Sequence, residues 1–197
     1  MKKAAECIAD YYIKKQIIDA DMKIIYVHGI SLIINDILNF GMILIISALV
    51  DSLLNGIIFT SLFYFLRVRC GGFHAKKEWI CRITMLVTYV SVFVFSQIIK
   101  ILSAQWIVLP MIILSVLVLL PIIPVENPNK RLTDAIRKKN KVLALITIFL
   151  CSLTAIVLTV LYIHGGVIIT LTLLSVAVLA VMGKIVNKKR EVNEIER

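Results

Sequence analysis

The chain has 197 residues, is 60% hydrophobic, and carries 22 Lys and Arg against 12 Asp and Glu, a formal charge of +10. Soluble domains hold roughly 45–50% apolar and about 25% charged residues, so 17% charged with a mean hydropathy of +0.95 excludes a soluble single-core globule. A nucleic-acid binder is excluded too, because its basic residues would cover a polar surface, whereas here they come in short bursts between long apolar stretches.

A hydrocarbon core of about 30 Å takes about 20 helical residues, so five to seven crossings use most of the chain. One membrane-embedded domain over 1–197 is expected, with any chemistry left to helix ends and short loops. Residues 1–26 lack the continuous apolar core of a secretory signal. They read as an amphipathic helix, with Ile8, Tyr11, Tyr12, Ile18, Met22 and Ile25 near one face and Lys14, Lys15, Asp19 and Lys23 elsewhere. Such a helix lies in the membrane interface or packs on the other spans.

Six apolar segments follow, at 28–50, 52–67, 80–100, 105–123, 142–162 and 166–185. The second is short for a span, and the first is interrupted by Asn35, Asp36 and Asn39. Either these face the bundle interior, where intramembrane ionisable groups often mark function, or the span starts near Leu38 and leaves Asp36 in the interface. The expected fold is all-α and polytopic, with about six transmembrane helices behind an N-terminal amphipathic helix.

Cytoplasmic connections carry the excess of Lys and Arg. Four clusters, in the N-terminal segment, at 67–82, at 130–141 and in the C-terminal tail, hold 21 of the 22 basic residues, and only Lys100 stands apart. Six crossings with both termini cytoplasmic put all four clusters on one side. The connections at Asp51, at 100–105 and at His164-Gly165-Gly166 then face outward. Cys7, Cys70 and Cys81 fall in or beside the cytoplasmic segments and Cys151 within the fifth span, so a disulfide framework is not expected in that reducing compartment.

The segment Arg67 to Cys81, RVRCGGFHAKKEWIC, gathers one of the three histidines and two of the four cysteines. His28 and His164, near membrane ends, read as interfacial residues. His74 precedes Cys81 by seven residues, about two helical turns. In an unbroken helix that is some 10 Å along the axis, too far for proton transfer; a break near 76–78 would bring imidazole and sulfur together. A thiolate is the competent nucleophile and an imidazole can take its proton. A helix start with Arg82, Lys76 and Lys77 nearby supplies positive potential for it. Gly71 and Gly72 allow positive φ and close backbone approach, serving an oxyanion site or only a tight turn. Two other readings stand beside this one: Cys70 as the nucleophile, and Cys70, His74 and Cys81 as zinc ligands with Glu78 or a water as the fourth, although their spacing is not a usual one.

At this window the sequence resembles the AgrB-type accessory gene regulator membrane endopeptidases. The matching residues are Arg67, Gly71-Gly72-Phe73-His74-Ala75 and Cys81, with a second family-like element at Pro124-Val125-Glu126-Asn127-Pro128-Asn129-Lys130-Arg131 in the next cytoplasmic loop, 124–141. The resemblance implies a cysteine endopeptidase that matures a quorum-sensing peptide, with Cys81 as nucleophile and His74 as general base and then acid. It implies an AgrD-like propeptide as substrate, with an acidic C-terminal tail that is removed, and ring closure of the rest to a thiolactone or lactone. It also implies a homodimer. No cofactor or metal is expected, and the partners are the propeptide and membrane lipid, without nucleic acid. Arg67, Gly71, Gly72, Asn127, Pro128, Asn129 and Lys130 are expected to bind substrate or support the site. The Asn-Pro-Asn run also has ordinary turn chemistry. The competing class is a small non-enzymatic transporter or exporter, suggested by six spans and the polar cluster at 35–39; no inverted repeat of broken helices favours it.

Overall fold

A computed structural model describes the backbone over residues 2–71, 78–125 and 134–195. Seven α-helices follow in order: α1 Lys2–Lys14, α2 Lys23–Leu49, α3 Leu53–Cys70, α4 Glu78–Ile101, α5 Val108–Leu119, α6 Asp134–Val160 and α7 Gly165–Ile195. The described residues hold no strand beyond one isolated bridge, so the chain is an all-α membrane bundle. Among the described residues, five helices are long and apolar enough to cross a membrane, α2, α3, α4, α6 and α7, while Gln105–Leu119 forms a shorter apolar helix. Fifteen residues rise only about 22 Å, against a core of about 30 Å. Pro121, two residues past α5, helps end it, since proline cannot continue a helix. The chain nevertheless returns fully to the end of the bundle where α3 finished, because Val125 pairs with Gly71.

Apolar composition in the spans makes α7 the centre. Every residue from Gly165 to Leu173 is buried, as expected of a helix apolar all round, and α3, α4, α5 and α6 all pack against it. The tight α6–α7 turn depends on Gly166, where an added Cβ would lie 2.7 Å from the Ala155 carbonyl oxygen; small residues let membrane helices approach this closely. Gly56 plays the same part between α3 and α2, where a methyl would overlap Ser47. Phe59 stacks on Phe63 and meets Tyr89 of α4, both with centroids 5.2 Å apart.

The amphipathic segment expected over 1–26 is helical as α1 only to Lys14. The chain then turns at Gln16, with φ at 55°, and residues 23–26 already belong to α2. α1 packs on α2 through buried Ala5 and Ala9, and Lys23 pairs with Asp10 at 2.5 Å. α6 also starts earlier than its apolar run, at Asp134, so the basic residues of 134–141 sit on a helix rather than a loop.

Neighbouring contacts fix the relative heights of the helices. Gly56 meets Ser47 and Tyr64 meets Phe40 at 5.6 Å, so continuing the antiparallel register brings Asp36 level with Arg67. Yet α2 starts thirteen residues before Asp36. Likewise Arg69 of α3 donates to Thr147 Oγ1 of α6, thirteen residues after α6 begins. Roughly 15 Å of α2 and 20 Å of α6 therefore continue beyond the end of α3. The C-terminus of α3 is recessed among longer helices.

Candidate active site

The recessed end of α3 holds Arg67, Cys70 and Gly71, and α4 brings Cys81 to it. Cys81 is the fourth residue of α4, within the turn whose backbone N–H groups lack helical acceptors. Its side chain is half-buried, and Arg67 Nη2 donates to its Sγ at 3.7 Å. The Arg67 guanidinium also lies 5.5 Å from the centroid of the Phe63 ring, an apolar backing that limits where its charge can point. Helix start and guanidinium together put positive potential at the sulfur.

Cys70, the other thiol of the window, is fully buried. It is inaccessible to a peptide, and a buried thiol without solvent access is structural rather than reactive. Gly71 follows it with φ at 72° and ψ at −162°, a region essentially confined to glycine. A Cβ there would also overlap the Val125 carbonyl oxygen. Val125 N–H donates to the Cys70 carbonyl at 2.9 Å, and Gly71 and Val125 form a parallel bridge. This glycine is thus required twice, by conformation and by close approach. The bridge joins the two loops that the sequence singled out, 54 positions apart.

Polar residues of α2 complete the surroundings. Asn35 and Asn39 are buried while Asp36 is exposed. Arg82, next to Cys81, donates from Nε to Asn35 Oδ1 at 3.0 Å, which ties the start of α4 to α2. The α2–α3 register sets Asp36 level with Arg67. The polar residues of 35–39 therefore divide: the asparagines face the bundle and the carboxylate stands on the outer side, near the arginine that touches Cys81. α2 is continuous through them, so no helix starts at Leu38.

Of the residues expected at the site, Arg67, Gly71 and Cys81 come together at the recessed end of α3. Gly72, His74, Asn127, Pro128, Asn129 and Lys130 lie outside the described residues. Two contributors had no expected role as partners, Asn35 as acceptor for Arg82 and Val125 as the brace of Gly71. The signal for the first was an asparagine beside a carboxylate in an apolar helix. No signal for the second is visible within either loop alone.

These features define a class, a polytopic helical membrane protein with a thiol at a cationic helix start. The family model described as accessory gene regulator B matches residues 5–182, and the chain belongs to that family. It is also similar to Protein FsrB of Enterococcus faecalis (strain ATCC 47077 / OG1RF), with 44% identity over 54 residues. That alignment covers 27% of this chain and 22% of FsrB, so the match spans about a fifth of the relative. No solved structure matches.

Proposed function

We propose that this chain is a membrane cysteine endopeptidase that removes the C-terminal tail of a small, AgrD-like quorum-sensing propeptide and closes the remaining segment into a ring. The observation that carries this reading is Cys81, half-buried in the first turn of α4 with Arg67 at its sulfur. In the reaction, Cys81 sulfur adds to the carbonyl carbon between signal segment and tail while His74 takes the thiol proton. The C–N bond breaks, His74 returns that proton to the leaving amine, and an acyl-thioester remains. A Cys or Ser side chain of the substrate then attacks the thioester carbonyl, giving a thiolactone or lactone and restoring the Cys81 thiol. Water would hydrolyse the thioester, and a nucleophile recessed among longer helices is suited to keeping it out.

The distribution of basic residues supports a cytoplasmic site with both termini on the same side. The Gly71–Val125 bridge supports a site shared by the loops at 67–82 and 124–141, with Asn127, Pro128, Asn129 and Lys130 as substrate contacts or supports. A homodimer is part of this reading. Co-expression with a matched propeptide tests it by mass spectrometry of the peptide products. Cys81→Ala and His74→Ala each abolish cleavage, while Cys70→Ala retains it. Cleavage by Cys81→Ala together with its loss in Cys70→Ala would move the nucleophile and overturn the assignment.

A further inference from the structure

A cleft of about 760 Å³ opens where the residues after α5, the first turns of α6 and the last turns of α7 meet. Residues 121–125 form one wall, Arg137, Lys138 and Lys141 another, and Lys184 and Lys188 a third, with no carboxylate among the described lining residues. Lys138 and Lys141 are three residues apart and Lys184 and Lys188 four, so each pair shares a helix face, where like charges repel. An anion seated between the helices would offset both repulsions at once.

The cleft does not end in water on every side. Leu120, directly before Pro121, and Leu117 of α5, one turn earlier, are exposed, as is Ile185, one turn before Lys188 on α7. The cations thus stand at the head of an outward-facing apolar surface of the bundle. We propose that this cleft binds the phosphate-bearing headgroup of an anionic membrane phospholipid, with its acyl chains lying along that apolar surface. Basic pockets between transmembrane helices bind such headgroups, and the volume falls within the roughly 300–1,000 Å³ of ligand sites. An acidic peptide would answer the same cations but has no use for the apolar surface. The bound lipid would brace Val125, which lines the cleft and holds Gly71. The proposal is independent of the peptidase reading.

Native mass spectrometry of the delipidated full chain in detergent tests it, comparing palmitoyl-oleoyl phosphatidylglycerol with phosphatidylcholine of the same chains. Phosphatidylglycerol is expected to bind at least about tenfold more tightly, a preference that falls with added salt. Lys184→Gln/Lys188→Gln should remove most of the preference, Lys184→Arg/Lys188→Arg should keep it, and Lys14→Gln/Lys15→Gln, outside the cleft, should leave it intact. If the first variant does not purify as a folded protein, Lys138→Gln/Lys141→Gln on the opposite wall is read in the same way. Equal binding of the two lipids, or an unchanged preference in a folded cleft variant, overturns the proposal. So does full displacement of the lipid by inorganic phosphate, which would make this a small-anion site, or by a synthetic poly-glutamate peptide, which would make it a peptide site.

Discussion

The two ends of the bundle solve the same problem, turning a helix back on itself, in opposite ways. At one end the connections are short: Asp51, Ser103 and Tyr162 each take positive φ, and Lys100 is the one basic residue near them. At the other end the connections are long and basic, the helices stop at different heights, and Gly71 is pinned to Val125 across 54 residues of sequence. Short turns fix geometry by local hydrogen bonds alone. The uneven end uses contacts between distant segments and leaves a recess in which Cys81 stands beside Arg67. Substitutions at the two ends should therefore fail differently.

The largest effect is expected at Gly71. In Gly71→Ala the positive φ and the overlap with Val125 act together, so peptide processing should fall by a hundredfold or more, a loss of about 3 kcal/mol or more. Gly29→Ala is the control, since a methyl there meets nothing within 4 Å and alanine favours a helix interior by roughly 0.8–1 kcal/mol. Quantitative mass spectrometry of product formed per unit of membrane-inserted protein separates the two.

Arg67→Ala should cost roughly tenfold to a hundredfold in processing rate, the size of a lost hydrogen bond to a charged group. Arg67→Lys should recover part of it, because a lysine keeps the charge but not the planar fork. Equal rates for wild type and Arg67→Ala would remove the guanidinium from the mechanism.

At the short-turn end the expectation reverses. Gly166→Ala forces a methyl against Thr159 and the Ala155 carbonyl and should lower thermal stability by about 1–3 kcal/mol. Processing per folded molecule should stay near wild type. The smallest effect is expected at His164. Burial, and then the Lys100 ammonium, hold its imidazole below the usual histidine range. The folded chain keeps it neutral while the unfolded chain binds a proton. Its contribution is thus fully present above a pH of about 6.5 and is lost as the pH falls through that value toward the depressed folded one. Thermal melts from neutral to mildly acidic pH should show the wild type losing slightly more stability than His164→Gln.

Hydropathy made the bundle legible because membrane crossing demands long apolar runs. The runs at 80–100 and 166–185 each fall within a single helix, and the run at 52–67 begins one residue before α3. Hydropathy reads the membrane rather than the helix, however. It therefore missed the charged start of α6 at Asp134, and it overstated α5, whose apolar run to 123 continues past the end of the helix at Leu119. Cys81 at a helix start was legible, since Glu78 and the apolar residues after it mark the boundary. The Arg67 contact, the Arg82–Asn35 bond and the Gly71–Val125 bridge join separate segments, and no local pattern encodes which residues meet after folding. The basic cleft was hidden for the same reason, because its cations were visible as separate clusters and only the meeting of α6 with α7 makes them one site.

The proposed reaction passes through a covalent intermediate at Cys81. Purified enzyme incubated with a propeptide whose ring-closing Cys or Ser is replaced by Ala cannot release its product by cyclisation. Intact-mass analysis followed by peptide mapping should then find the signal segment, without its tail, as a thioester on Cys81. Tail release with no adduct at any cysteine, or an adduct on Cys70, would contradict the central claim.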